Sequence, residues 1–561
     1  MKACGQAASK ARKVAEGRPL DKLIRRDRGG IMGTAGRAVS TWAPLGVGIF
    51  RALWLADLVS NIGTWMQTVG AQWLLVHQPH ASILVALVQT ADMLPDVLFA
   101  YVGGVLADTF DRRWLLIVVQ GCLVITGLAL TLLTITGQMP PALLLTLTFL
   151  LGAGSAFSTP AYQAIIPNLV SRDEIPSASA LGSININLGR AVGPAIAGVL
   201  ITQVGVGAVF ALNTVTFLVF GLVVAAWRPR AGTTSPFPER FVPALRAGGR
   251  YVRYAPVVRR MLVRSVLFLV PASALWALLP LVASQRLGLG ANGYGLLLGA
   301  LGVGAVAGAF TLPRLRARLS SNALLLAASI IYAAALVALV LVPNAAVILV
   351  ILIPTGIAWI AVLSSMNAAM QLFLPAWVRA RGLSVYQMVL FGAQAAGAVI
   401  WGVIAGPVGL VATFLIAAAV LAAGIATIRL WPLFDTRGID RSLAVYWPEP
   451  HLVFEPDPQT GPVLVTTTYT IAPENEQQFL HAMSWVRQSR LRTGAVEWGL
   501  YRDGQTANRF VEFFVVPSWE EHLRQHNERL TGADRQYEEQ ADALSDPPSQ
   551  TTHLLAADVS D

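Results

Sequence analysis

Charge is scarce in this 561-residue chain: Asp, Glu, Lys and Arg together make up 13% of it, about half the share of a soluble domain. Hydrophobic residues make up 55% and the mean hydropathy is +0.59. A water-soluble globule is thereby excluded and an integral membrane protein implied. Cysteine is scarcer still. Cys4 lies in a basic segment and Cys122 in an apolar one, which excludes a disulfide framework. There is no Gly-x-x-x-x-Gly-Lys-Ser/Thr loop, so ATP driving is not indicated. Cations run from Lys2 to Arg28 without an apolar stretch between them. That pattern is a basic arm held at an anionic leaflet rather than a signal peptide.

Acids are nearly absent from the apolar part. Of 31 Asp and Glu, eleven precede Leu430, which leaves twenty for the remaining tail. Asp57, Asp92 and Asp96 nevertheless sit inside apolar stretches, and so does Arg190. A carboxylate at the bilayer centre costs about 2.5–3.5 kcal/mol on insertion scales, so each of these is first a functional candidate.

A hydrocarbon core about 30 Å thick needs roughly 20 apolar residues per span. Twelve segments qualify, at approximately 48–75, 83–107, 114–136, 142–166, 178–202, 206–228, 261–284, 293–316, 322–343, 345–373, 383–406 and 408–430. The connections alternate in charge. Basic residues gather in the arm and in 108–113, 172–174, 228–260, 314–318 and 379–381, whereas Arg286 is the lone charge on the opposite side. Basic loops stay cytoplasmic, which puts both termini inside. The chain thus divides into a basic disordered arm (1–44), a first six-helix bundle (45–228), a cytoplasmic central loop (229–260), a second bundle (261–431), a proline-rich linker (432–462) and a soluble domain (463–561). Arg246, Arg250 and Arg253 recur at helical spacing in the central loop. Either that segment lies along the membrane surface or it is an ordinary basic linker.

The two bundles repeat each other. Thr159–Val170 aligns without gaps on Asn367–Val378, matching Ala161/Ala369, Gln163/Gln371, Pro167/Pro375 and Val170/Val378. Gly193-Pro-Ala-Ile-Ala-Gly198 answers Gly397-Ala-Val-Ile-Trp-Gly402, a register that puts Arg190 on Gln394. Parallel six-helix repeats are a transporter plan with the substrate site between halves near the midplane. At 1.5 Å per residue Asp92 lies roughly 13 Å deep, Asp96 roughly 20 Å, and Arg190 roughly 18 Å from the cytoplasmic edge. Arg190 therefore either partners the two aspartates or docks an anionic substrate group. A static ion pair that fixes helix register is the rival reading. A change in the protonation balance of these groups would couple transport to protons. Asp57 lies about 10–15 Å from the cytoplasmic end of its helix. Asn61, Gln67, Ser158, Tyr162, Gln163, Ser365, Asn367, Gln371 and Gln394 are candidate cavity-lining residues, although each also suits a plain helix–helix hydrogen bond.

The loop Gly103-Gly-Val-Leu-Ala-Asp-Thr-Phe-Asp-Arg-Arg113 resembles the cytoplasmic signature of the major facilitator superfamily, and Gly193-Pro194 with Gly198 resembles the glycine-proline motif of its exporting branches. The entry Trp42–Leu45, Phe50–Trp54 and Ser60–Gln67 resembles the transmembrane secretion effector group. The resemblance implies an all-α polytopic fold of 12 helices in two six-helix repeats in a bacterial inner membrane. It also implies export, by alternating access, of a small amphipathic molecule such as a siderophore, drug or secondary metabolite, without a cofactor. Gly104, Asp108, Arg112 and Arg113 would form the cytoplasmic gate, with Asp108 against the eleventh helix and an arginine pairing with Asp173 or Glu174. Thr109 stands where the signature usually has a basic residue. Membrane lipid, protons and the small molecule are the expected partners, with no nucleic acid.

The tail reads differently: strand 463–471, helix 473–492, hairpin 495–502 and 509–516 around Asp503-Gly504, a helix opening at Ser518, and strand 551–556. The order β-α-β-β-α-β suggests a ferredoxin-like cytoplasmic domain. It resembles the antibiotic-biosynthesis-monooxygenase type of dimeric barrel, which leaves open a homodimer through the tail and a catalytic tail. His522 and His526, four apart, read as an exposed helix face in preference to a metal site. A non-transporting sensor or scaffold is the third alternative.

Overall fold

The computed structural model describes residues 40–228, 249–375, 377–432, 440, 442–447, 454 and 456–557. The arm up to residue 39 and the central loop up to 248, including Arg246, lie outside the described residues, as does much of the linker. Among the described residues eleven long helices fill the apolar part: α1 Gly48–Leu75, α2 Ala81–Thr109, α3 Arg112–Ile135, α4 Pro141–Ile165, α5 Ile175–Gln203, α6 Val206–Ala226, α7 Pro256–Leu281, α8 Ala291–Arg318, α9 Ser321–Leu341, α10 Ala345–Phe373 and α11 Arg379–Leu430.

Ten helical stretches among the described residues are long and apolar enough to cross a membrane, where the sequence led us to expect twelve. Two causes account for the difference. Asp57, Asn61, Gln67 and Gln72 lower the hydropathy of α1, which falls outside the ten. The 52 residues of α11 are two helices that meet at a kink at Gly409, whose φ of 79° and ψ of 167° are not helical, and they count once among the ten. Only glycine takes that backbone conformation without strain. The local starts are chemically ordinary: Asp111, Ser320 and Asn344 cap α3, α9 and α10 by accepting backbone N–H groups.

The packing repeats between halves. In the first, α1 packs on α5 and α6, α2 on α4, and α3 on α4 and α6; in the second, α7 packs on α11, α8 on α10, and α9 on α10 and α11. The halves meet along α5 with α8 and along α2 with α11. Large apolar side chains such as Leu128, Ile125, Val350 and Leu222 remain on the outside, as lipid-facing helices require.

The tail contains β1 Val463–Thr470, α12 Glu476–Thr493, β2 Glu497–Arg502, β3 Arg509–Val516, α13 Trp519–Arg524, α14 Gly532–Asp542 and β4 Gln550–Leu555. Its four strands form one antiparallel sheet in the order β2-β3-β1-β4. Helix α14, opened by a Thr531–Asp534 capping box, was not expected. His522 and His526 are 0% and 4% exposed, so the expectation of an exposed helix face is overturned: the sheet and Trp447 cover them. The tail rests on the basic-loop end of the second half. There Arg529 lies 5.0 Å from the ring centre of Trp377, and Arg492 lies 5.7 Å from that of Tyr251 in the helical stretch 249–254.

Candidate functional site

Helix α5 is a wedge between two neighbours, and its small residues make that possible. A Cβ on Gly193 would sit 2.8 Å from the Ile62 carbonyl oxygen of α1, and one on Gly198 would sit 2.8 Å from that of Ala291 in α8. Gly295 and Gly302 of α8 return the contact, against Pro194 and Ala191. The second half copies the arrangement. Gly397 abuts Val270 of α7, and Gly402 abuts Ser82 and Ala86 of α2. The aligned glycines thus make equivalent contacts, one within each half and one across the seam. The cross-seam approaches at Gly198, Gly295, Gly302 and Gly402 all lie in the half of the helices remote from the basic loops. There the hydroxyl of Tyr294 in α8 also donates to Gln72 of α1, and Trp73 stacks on Tyr294 at 6.1 Å.

Below this seal stands Arg190. Its guanidinium carbon lies 5.1 Å from the ring centre of Trp65 and 5.8 Å from that of Trp276. Trp276 continues into Trp359 at 5.3 Å, and Phe268 and Tyr332 complete the buried wall. Arg190 and Trp65 are half-buried, so this side of the cluster stays accessible. The guanidinium Nε and Nη1 are sealed from solvent without a hydrogen-bond partner. Among the described residues no ion pair joins Arg190 to Asp92 or Asp96. Depth along a helix does not fix azimuth: Arg190 faces Trp65 of α1 and Trp276 of α7, and the acids belong to α2.

Asp92 and Asp96 are half-buried on α2, which approaches α4 so closely that a Cβ on Gly152 would sit 2.6 Å from the Asp92 carbonyl oxygen. Thr90, on the same helix, donates to Ala395 O of α11 at 3.1 Å. Asp57 accepts from Asn185 Nδ2 at 2.9 Å, and Asn61 donates to Asn185 Oδ1 at 3.2 Å, which ties α1 to α5. Gln67 is buried and accepts from Asn213 of α6, while Gln394 is buried and donates to Leu390 O of its own helix. Tyr162 stands edge-on to Phe220 at 5.8 Å. Gln163 is exposed, and Gln371 donates to Asn367 one turn back.

The gate residues arrange themselves as helix ends. Arg112 donates to Ala107 O and Ala164 O, and Arg113 to Val224 O and Ala225 O, at the C-terminus of α6. A cation is favoured there. Glu174 closes a capping box with Ser171, and Asp173 is exposed. Gly104 has open space at its Cβ position, whereas a Cβ on Gly103 would sit 2.7 Å from Ala156 O of α4. The side chain of Asp108 lies outside the described residues.

Sequence reasoning missed Trp65, Trp276, Trp359 and Asn185. The signal was present: tryptophan belongs at membrane interfaces, and these three stand well inside their helices. In the tail it missed the Arg490 centre, where Nε lies 3.1 Å from Glu512 and Nη1 lies 2.6 Å from Glu538.

Helix packing that repeats between two halves, with a charged, aromatic centre at their seam, fits a membrane transporter of the major facilitator type. The model of the transmembrane secretion effector family matches residues 39–560, and the chain belongs to that family. Among curated relatives, the staphyloferrin A transporter of Staphylococcus aureus is 22% identical over 45% of this chain and 64% of its own length. Macrolide efflux protein A of Streptococcus pyogenes is 22% identical over 42% and 58%. The enterobactin exporter EntS of Shigella boydii is 28% identical over 50% and 67%. The chain thus spans less than two thirds of the length of the first two of these relatives. All three are transporters, not enzymes. In fold, a variant of the nucleoside transporter NupG superposes with a TM-score of 0.57 at 10% identity, covering 69% of this chain and 100% of the other. An inward-facing, occupied bacterial homologue of the lysosomal transporter Spinster gives 0.53 at 16%, covering 69% and 97%.

Proposed function

We propose that this protein is a secondary active exporter that moves a small amphipathic molecule out of the cell against inward proton flow, by alternating access between its two halves. The observation that carries the reading is the one-sided seam. Close backbone approaches across the halves gather away from the basic loops, and an unpaired cation and three acids lie beneath them. With the basic loops cytoplasmic, this is an inward-facing arrangement of twelve spans, α1 and the two parts of α11 included. Asp92 and Asp96 have no cationic partner among the described residues and stand on the helix that crosses to α11, which makes them the proton-carrying groups. Asp57 with Asn185 forms a second titratable point between α1 and α5. The relatives named for siderophore and macrolide transport support a substrate of amphipathic character. In the tail, element order and sheet order support a ferredoxin-like domain, and a homodimer through its sheet belongs to the same reading.

The test is made in everted vesicles energised to an acidic interior. A siderophore or amphipathic drug should partly collapse ΔpH in wild type and not in Asp92→Asn. An intact response in Asp92→Asn and Asp96→Asn would remove α2 from the coupling role. No response to any member of a broad panel would count against proton-coupled export.

A further inference from the structure

Arg190 is a cation without its anion. A guanidinium taken out of water must recover its hydration from hydrogen bonds or opposite charge, and here Nε and Nη1 are sealed with neither. Its two contacts are indole faces, at 5.1 and 5.8 Å. Such faces stabilise a cation but leave its in-plane donors unused. Those donors are the part of arginine that grips a carboxylate or another planar oxyanion. Trp359 adds another buried donor, as its Nε1 is also without a partner. The wall of Trp276, Trp359, Phe268 and Tyr332 is 8%, 3%, 2% and 0% exposed, so it is rigid and apolar, while Trp65 and Arg190 form its accessible rim. The aligned position in the other half, Gln394, is buried and hydrogen-bonded within its own helix. The unpaired donors are thus peculiar to one half and not a consequence of the repeat.

We infer that Arg190, Trp65 and Trp276 form a binding centre for an aromatic acid, with the acid's oxyanion on the guanidinium edge and its ring on the indoles. The inference rests on the transporter reading and specifies its substrate class: the transported molecule carries an anionic group attached to, or next to, an aromatic ring. The same donors also fit a phospholipid headgroup, which supplies an oxyanion without the ring.

The probes are 1-naphthoate, its neutral isostere 1-naphthamide and the cationic 1-naphthylmethylamine. Each is titrated calorimetrically into the full-length protein in phosphatidylcholine nanodiscs, without any gradient. The acid should bind at least about tenfold more tightly than the amide, the equivalent of about 1.4 kcal/mol, and the amine should not bind. Arg190→Gln should abolish the preference for the acid, Arg190→Lys should keep part of it, and Trp65→Leu should weaken acid and amide alike. Because the acid-to-amide ratio is read in wild type, a variant that fails to fold does not decide the matter. Equal affinity for acid and amide, or no binding by the acid at millimolar concentration, overturns the inference. Repeating the titration with phosphatidylglycerol separates the two oxyanions: unchanged affinity supports a free solute, and loss of naphthoate binding assigns the site to lipid. Binding of the acid with no effect on ΔpH in vesicles would sink the export reading and leave this centre standing. A ΔpH response confined to neutral or cationic compounds would do the reverse.

Discussion

Two arginines, one in each region of the molecule, stand on aromatic faces and differ in everything else. Arg490 in the tail lies 4.8 Å from the ring centre of Trp447 and 4.9 Å from that of Phe514. It also meets Glu512 and Glu538, whose oxygens take further bonds from Trp498, Tyr469, Tyr446 and Trp447. Burial works against its charge, but the two carboxylates prevail and hold the guanidinium protonated above its ordinary range. Arg190 has the same aromatic setting and no carboxylate. A satisfied buried charge holds a fold in one register, whereas an unsatisfied one marks a place that something else completes.

Removing the two side chains should therefore have opposite consequences. Arg490→Met leaves Glu512 and Glu538 buried together without a counter-charge and should destabilise the tail by about 3–5 kcal/mol. Hydrogen exchange in 463–555 of the full-length protein would show the protection collapse. Arg190→Gln removes a charge that nothing compensates, so the melting temperature of the membrane part should stay level or rise. A fall as large as that of the Arg490 variant would break the comparison.

Next in size is the seam. Gly198→Leu must push α8 away from a backbone already in contact, an overpacking cost of about 1–3 kcal/mol. It should open the side remote from the basic loops, read as increased labelling of a cysteine placed at Gln72. The aligned Gly402→Leu should do the same against α2 if the halves are equivalent there, and unequal labelling would show where the repeat ends.

The tail should be acid-sensitive through His522. Burial, with His553, His526 and Arg490 nearby, lowers its pKa from 6.5 to about 3. The unfolded chain then binds the extra proton between those values, so stability is full above about pH 6.5 and falls as pH drops toward 3, by at most about 1.4 kcal/mol per unit. His522→Leu should flatten that slope in a urea titration at stepped pH. Glu521 and Asp534, both held below their ordinary range against burial by Arg529 and Arg492 respectively, add loss of the same sign at lower pH.

The smallest effect concerns Arg113. As a cap on α6, its removal by Arg113→Ala should cost about 0.3–1 kcal/mol and leave substrate flux close to wild type. A large loss of flux with little loss of stability would restore it as a gate residue.

How much of this was legible in the chain varies with the range of the interaction. The element boundaries of the tail were readable to within a few residues, because strand alternation, the Asp503-Gly504 turn and the Ser518 cap are local. Buried His522 was not, because the residue that covers it, Trp447, comes from a linker with no periodic pattern. Gly193 and Gly198 were recognised as parts of a motif, but their separate faces, one toward α1 and one toward α8, required the neighbours. Gln67 and Gln394 were named as cavity residues and turned out to be packed, since an amide in an apolar helix has the same one-letter signature in either role.

By itself the sequence determined that the chain lives in a membrane, that its halves repeat, which loops carry the positive charge, and that Arg190 stands within an apolar helix. These follow from composition, period and rise per residue, all properties of the chain taken one segment at a time. The tertiary structure decided which side of the seam is closed and what Arg190 faces. Depth along a helix is written in residue count, but azimuth about its axis is set by the packing of small residues against other helices. That packing turned the arginine toward indoles and away from the aspartates.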